Sequence, residues 1–297
     1  MAWLEDFIVL AREMNFTRAA AKRSLTQSAF SRRIRLLELW AGAPLFDRST
    51  YPIKLTTIGQ DFLPTATEIA FALRSKQAGM KQKAGSGVAF QRFVTTHSIA
   101  VNHLPGVLMA LRTDCPELRA DVVSDNFHAC VHQLVSGTTD FLLCYLHECI
   151  PLEIDERRFA RIDLCKEELV PVCSPGADGE PCWQLTATAD APIPFLAYAE
   201  GSFLGTVVKG ILERHRHSLA IVHRDAYAEG LKSMAVKGGG VAWLPIMGIQ
   251  RELDEGRLVR ASSSQWSADL ILAGFAELPS LNPTGAKVWA ALKYAAS

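Results

Sequence analysis

The chain is 297 residues long and 49 % hydrophobic, enough apolar side chain to fill about two cores, which excludes a disordered chain. Its 31 basic and 31 acidic residues cancel, yet residues 1–88 hold 13 Lys and Arg against 7 Asp and Glu, while residues 89–297 hold 18 against 24. A basic module joined to an acidic body permits contact with a polyanion at one end only, because phosphate neutralisation needs clustered positive charge.

The opening MAWLEDFIVLAREMNF places acidic residues where a secretory signal carries basic ones, and no apolar run approaches the ~18 residues of a membrane span. A soluble cytoplasmic protein without membrane contact is expected. The cysteines, Cys115, Cys130, Cys144, Cys149, Cys165, Cys173 and Cys182, are odd in number and irregularly spaced, so reduced thiols account for them.

Trp3, Leu4, Phe7, Leu10 and Ala11 recur at helical spacing, and after Asn15 a second short helix is predicted with Thr17 as its N-cap. Its alanines let another helix approach closely. Ser24-Leu25-Thr26 punctuates the chain before TQSAFSRRIRLLELW, which turns Phe30, Ile34 and Leu37 inward, with Leu36 as a further inward candidate, and Gln27, Ser28, Ser31, Arg32 and Arg35 outward. Two helices across so tight a turn make a helix-turn-helix, whose second helix enters the major groove by its N-terminal end. Gln27 there suits adenine, and arginine suits guanine or phosphate. In isolation, Arg32, Arg33 and Arg35 also read as an ordinary solvated face.

Gly42 ends that helix. A turn over 49–52, flanked by extended pieces carrying Phe46, Ile53 and Leu55, has the form of a wing aiming Arg48 and Lys54 at DNA. From Ile58 to about Lys83 a long helix carries Phe62, Ala66, Ile69, Leu73 and Met80 on one side, a stripe suited to pairing with a second copy or to packing within the chain. The segment AGSGVAF, residues 84–90, is a glycine-containing link and the expected domain boundary.

Beyond it, strand-like runs (FQRFVTT, LRADVVS, FLLCYL) alternate with helices over 101–113 and 126–136, which argues for a parallel-sheet α/β domain. A second set follows: ELVPVCS, PFLAY, a helix from Phe203 to His215, SLAIVH, a helix over 227–237, GVAWLP, a helix to Leu253, a strand at 268–275 and a closing helix capped by Asn282-Pro283. Two such lobes joined by extended crossings leave a cleft between them.

The motifs FxxAAAKRSLTQSAFSRRIRLLE, GAPLFDR and LTTIGQ together resemble the winged helix-turn-helix signature of the LysR-type transcriptional regulators, and KGGGVAWLP and NPTGAKVWAALKYA fit the family's sensor half. The resemblance spans the whole chain. It implies an α+β multidomain fold: a winged helix-turn-helix (1–59), a linker helix and hinge (60–88), and a two-lobed α/β effector domain resembling periplasmic binding proteins (89–297). Lobe I is expected at about 89–164 and 266–297, lobe II at about 165–265.

The resemblance further implies a non-enzymatic regulator without a cofactor. Gln27, Ser28, Ser31 and Arg32, with Arg33 and Arg35, would contact a double-stranded operator bearing an imperfect inverted repeat, and Arg48 and Pro52 would do so from the wing. Other implied partners are a small-molecule inducer, RNA polymerase, and further copies of the chain in a homodimer or homotetramer built through residues 60–80 and the effector domains. Among branches, the chain is similar to regulators answering hypochlorite stress. Position 29 is Ala where many relatives have Pro, and with no cysteine after Cys182 the paired thiols of the peroxide-sensing branch have no counterpart.

The inducer is expected where strands end and helices begin, since free N–H groups there favour anions or polar ligands. Two junctions qualify, one with Thr96, His97 and Ser98, the other with Glu200, Ser202 and Phe203; Asn126 is a further candidate. Ser98 and Ser202 read equally well as plain helix caps. The pattern HACVH, with His128, Cys130 and His132, allows a metal but lacks a carboxylate or second cluster in the same segment, so satisfied or exposed histidines are preferred; His215-Arg216-His217 is assigned no chemistry. Met80, Met109, Met234 and Met247 read as core rather than as oxidant sensors. An enzyme finds no GxSxG, phosphate-cradling glycine loop, HExxH or paired CxxC, and a solute-binding protein leaves the basic helix-turn-helix unexplained.

Overall fold

The computed structural model describes residues 2–49, 52–84, 90–152, 154–185, 192–262 and 264–295. The chain divides into two compact units, broadly residues 1–87 and 88–297.

In the first unit, α1 (Ala2–Glu13) buries Phe7, Leu10 and Ala11. Helix α2 (Phe16–Lys22) is capped by Asn15 rather than Thr17: the Asn15 side chain accepts from the Arg18 N–H at 3.0 Å. Ala19 and Ala20 are buried, which lets α2 sit close against its neighbours. Helix α3 (Gln27–Ala41) starts at the Thr26 cap and stops at Gly42, whose φ of 74° is left-handed backbone that a side chain disfavours. Its inward residues are Phe30, Ile34 and Leu37, as the spacing predicts; the inward candidate Leu36 is instead exposed, one position off the 30-34-37 stripe. Strands β1 (Phe46–Asp47) and β2 (Lys54–Leu55) pair antiparallel; positions 50 and 51 of the expected turn lie outside the described residues.

Helix α4 (Thr57–Ala84) has 28 residues and is about 42 Å long at 1.5 Å per residue. Thr56 caps it, accepting from the Gly59 N–H at 3.0 Å. Gly59 is required by close approach, since a Cβ there would run into the Leu45 carbonyl. Along the expected stripe, Ala66 is buried, Phe62 lies against Phe7 and Trp40, and Ile69 and Leu73 are exposed; the Met80 side chain lies outside the described residues.

The second unit runs β3 (Phe90–Thr95), α5 (His97–Asn102), α6 (Leu104–Asp114), β4 (Arg119–Ser124), α7 (Phe127–Val135), β5 (Phe141–Leu146) and β6 (Ala160–Cys173). It continues with β7 (Ile193–Tyr198), α8 (Phe203–Arg214), β8 (Leu219–Asp225), α9 (Ala228–Val236), β9 (Ala242–Pro245), a 3-10 turn at Ile246–Gly248 and α10 (Gln250–Asp254). Strand β10 (Val259–Arg260), β11 (Ala268–Ala276) and α11 (Pro283–Ala295) complete it. The helix expected over 101–113 is two helices that meet at His103.

The main sheet is mixed rather than parallel, in the order β10-β6-β11-β5-β3-β4 with β9 also on β6. Strand β3 is parallel to β4 and β5, whereas β11 is antiparallel to both β5 and β6. The sequence shows strand β6 only from 168, but it starts at 160: its first part pairs with β11 and its last with β9 and β10, so it runs from one lobe into the other. The second lobe's β7 and β8 are parallel, tied to the rest by a bridge between Phe195 and Val241. Gly240 makes that approach possible, because at φ 141° a Cβ would stand 2.5 Å from the Pro194 carbonyl oxygen. Trp243 is wholly buried, its indole N–H donating to the Trp266 carbonyl at 2.7 Å. No described helix is long and apolar enough to cross a membrane.

Candidate functional site

Two places carry functional side chains, one in each unit. On the first, the N-terminal end of α3 presents Gln27, Ser28, Arg32 and Arg35 to solvent, with Ser31 half-buried. Among the described residues neither Arg32 nor Arg35 has an ion-pair partner, so both guanidinium groups are free for a polyanion.

Arg33 faces the other way. Its Nε lies 2.7 Å from Oδ2 of Asp6, a carboxylate with 0 % exposure, and Arg23 holds Asp6 Oδ1 at 2.8 Å while also reaching Glu5. This buried clamp fastens α2 and α3 to α1 and takes Arg33 out of the contact set proposed below. Arg48 is also engaged within the unit: it donates to Glu38 at 2.6 Å and lies over the Phe16 ring. The other Glu38 oxygen accepts the Leu45 and Phe46 N–H groups at 3.0 and 3.3 Å, which sets the path of the chain into β1. Pro52 and Lys54 are exposed. Hydrogen bonds from the Ser49 hydroxyl and N–H hold the Asp47 carboxyl below its ordinary range.

The second unit contains a cavity of about 320 Å³, and Thr96, His97, Ser98, Asn126, Glu200, Ser202 and Phe203 all line it. Local chain chemistry explains why they converge. Thr96 follows β3 and stands at the N-cap of α5; Asn126 caps α7, accepting from Ala129 at 2.9 Å; Ser202 caps α8, accepting from Gly205 at 3.3 Å. Ser202 thus caps its helix and lies on the cavity wall, whereas Ser98 lies buried in the first turn of α5. Gly201, at φ 78°, makes the bend before α8. The His97 ring stands 4.3 Å from that of Tyr227 and 3.8 Å from Glu229 Oε2. Phe127 and Phe203 meet at 4.8 Å.

Sequence reasoning missed Tyr145, Tyr198, Tyr227 and Asp125, which line the same cavity. Tyr198 ends a strand just before a helix, the signal that found its neighbours. Tyr145 lies inside a buried run and gives no such signal. Burial pushes both phenols up, out of reach of neutral-pH ionisation. Among the described residues no Lys or Arg lines the cavity, whereas Asp125 and Glu200 do.

Elsewhere, Cys130 of the HACVH pattern turns into the core, where burial pushes its thiol up to about 12. Met109 and Met247 are 66 % and 53 % exposed, which corrects their assignment to the core. His215 lies against the Trp266 ring.

Residues 1–60 match the bacterial regulatory helix-turn-helix family of lysR type, and residues 91–273 match the LysR substrate binding domain. The chain is 28 % identical over 295 residues to the HTH-type transcriptional regulator YjiE of Escherichia coli (strain K12), across 98 % of this chain and 93 % of that one. Among solved structures it is similar to DarR of Vibrio fischeri in complex with DNA, at 29 % identity and a TM-score of 0.62 over 98 % and 97 % of the two chains. It is likewise similar to full-length HypT from Salmonella typhimurium, described as a hypochlorite-specific LysR-type regulator, at 27 % identity and a TM-score of 0.63 over 99 % and 97 %. The chain belongs to the LysR family of bacterial transcriptional regulators, with a DNA-binding helix-turn-helix followed by a ligand-binding domain.

Proposed function

We propose that the first unit reads an operator with an imperfect inverted repeat through Gln27, Ser28, Ser31, Arg32 and Arg35, assisted by Arg48 and Pro52 on the wing, and that the second unit holds a small inducer among the seven lining residues named above. The observation that carries the reading is the pair of exposed guanidinium groups of Arg32 and Arg35 on α3, without an ion-pair partner among the described residues. Inducer entry shifts the balance between two lobe arrangements, and with it the spacing of the DNA-binding units in an oligomer. No catalytic step is needed for this.

Oligomers are supported by unpartnered apolar surface. Ile69 and Leu73 on α4 are exposed within the expected pairing segment, residues 60–80. In the second unit the edge strands β4 and β8 expose Val122, Val123, Ile221 and Val222, surface that a second effector domain would cover to give a homotetramer. The domain limits 1–59, 60–88 and 89–297 belong to the same reading, with the lobes exchanging chain in β6 and ahead of β11. A cytoplasmic protein of this kind meets RNA polymerase at its promoter. A hypochlorite signal is a second reading, favoured by the likeness to HypT and by the exposed Met109 and Met247, thioethers that an oxidant can reach.

The test is sequencing of genomic fragments retained by the purified chain near physiological salt, where nonspecific phosphate binding is suppressed. A few sites sharing an inverted repeat are expected. Fragments without a common sequence, with and without cell extract as a source of inducer, would overturn the reading.

A further inference from the structure

Behind the cavity lies a buried polar cluster. His103 stands between α5 and α6, Tyr145 on β5 and Glu167 on β6, and each is less than a tenth exposed. His103 Nε2 lies 2.9 Å from the Tyr145 hydroxyl oxygen and 3.0 Å from Glu167 Oε2. The other oxygen, Glu167 Oε1, accepts the backbone N–H groups of Glu168 at 3.0 Å and Met247 at 3.3 Å.

Oε1 therefore accepts twice, and Oε2 accepts as well, because, despite burial, the neighbours of His103 raise it to about 9 and keep a hydrogen on Nε2 at neutral pH. The Oε2 contact with His103 is satisfied only if Nε2 carries the hydrogen. A nitrogen that donates cannot also accept, so the Tyr145 oxygen receives a share of that same N–H and the phenol keeps its own hydrogen free. Among the described residues no acceptor takes it. The open direction is the cavity that Tyr145 lines.

We propose that Tyr145 is the hydrogen-bond donor through which the cavity recognises its inducer, and that His103 and Glu167 are the positioning pair that hold it in that role. This rests on the reading of the cavity as the inducer site and gives that inducer a chemistry. It carries an uncharged acceptor, a carbonyl oxygen above all, because Asp125 and Glu200 line the cavity with no compensating Lys or Arg among the described residues and disfavour an anion. Its body is apolar and planar enough to lie among Phe127, Phe203 and Tyr227, within about 320 Å³.

The experiment uses the full-length chain and matched probes of one shape: acetophenone against α-methylstyrene, and 2-acetonaphthone against 2-isopropenylnaphthalene. In each pair a carbonyl oxygen replaces a methylidene group. Affinities come from titration followed by saturation-transfer NMR. Ketones are expected to bind the wild type about tenfold more tightly than their partners, the effect of one buried hydrogen bond. Tyr145→Phe, which keeps the ring volume, is expected to erase that preference while leaving hydrocarbon affinity unchanged. Glu167→Gln offers an amide N–H to Nε2, lets Nε2 accept from the phenol, and is expected to reduce the same preference.

A ketone preference that survives Tyr145→Phe, or its absence in the wild type, overturns the role of Tyr145. Failure of the cavity reading looks different: no probe of either type binds, or binding is indifferent to Ala226→Trp, which obstructs the mouth of the cavity from an exposed position. That result removes the inference together with the reading beneath it.

Discussion

Arg32 and Arg33 are adjacent on α3, and exchanging each for alanine should give opposite results. Arg33 contacts Asp6 Oδ2 at 2.7 Å, and its own side chain is 26 % exposed. Losing one partner of a buried ion pair costs roughly 3–5 kcal/mol when the other is left uncompensated. Asp6 retains Arg23 at 2.8 Å and Arg33 is partly solvated, so Arg33→Ala should cost about 1–2 kcal/mol. At roughly 4–8 °C per kcal/mol for a unit of this size, its thermal transition falls by roughly 4–16 °C. Arg32 has no ion-pair partner among the described residues, so Arg32→Ala leaves that transition in place. It weakens operator binding by about 1–3 kcal/mol, roughly a factor of 5–150, and flattens the salt dependence by about one counterion if the contact is to phosphate. Calorimetry of the free chain and fluorescence anisotropy on a recovered operator at two salt concentrations read both quantities. Arg33→Ala with an unchanged transition but weakened DNA binding would refute the assignment of its guanidinium to Asp6, and the reverse pattern for Arg32 would refute the placement of the recognition face.

Three other outcomes are expected. Gly240→Ala forces a side chain into left-handed backbone against the Pro194 carbonyl and should destabilise the second unit by at least about 2 kcal/mol, seen in its denaturant midpoint. Ser98→Ala with Ser202→Ala should weaken the inducer response yet spare unliganded DNA binding; an unaltered dose response in the double variant removes both from the site, while Ser202 alone should cost about 1 kcal/mol as a lost cap. His103 suffers from burial, but its contacts with Cys165 and Glu167 outweigh that and raise it to about 9; the Tyr145 hydroxyl is its further titratable contact. Because the folded value exceeds the ordinary 6.5, its stabilisation is complete below that pH and is lost as pH rises toward 9. The midpoint of the second unit should decline across this window, and Glu167→Gln should flatten the decline.

What local pattern reveals and what it hides follows from the range of each interaction. Phe30, Ile34 and Leu37 declare the inner face of α3 by spacing alone, and the cavity residues announce themselves because caps such as Asn126 and Ser202 mark where strands give way to helices. Arg32 and Arg33 cannot be separated in this way. Only the position of α1, which brings Asp6 alongside, gives them different work. Tyr145 sits in FLLCYL, a run buried on both faces, where no alternation singles out a polar tip. His103 falls within what reads as one continuous helix, and the break that frees it to meet Glu167 is a tertiary contact 64 residues away. The mixed sheet was hidden for the same reason: β11 returns from the far end of the chain to lie between β5 and β6, and no short window encodes the direction of that return.

Under the proposed function, that return offers the lobes a route of communication. Strand β6 is hydrogen-bonded to β11 from Ala160 to Leu169 and to β9 from Leu169 to Val172, so one unbroken strand passes its pairing from one lobe to the other at Leu169. The register with β11 slips between Leu272 and Ala273, opposite Cys165 and Asp163. A slip of this kind bends and twists a strand pair without breaking the rest of the ladder, and it lies beside the handover, where a small rotation moves the lobes most. Glu167 occupies the stretch between the slip and the handover, joined through His103 to Tyr145 in one lobe and through Met247 to the turn after β9 in the other. A ligand that engages the phenol therefore acts on a hydrogen-bonded chain anchored on both sides of the pivot, the physical connection required for cavity occupancy to bias the arrangement of the lobes.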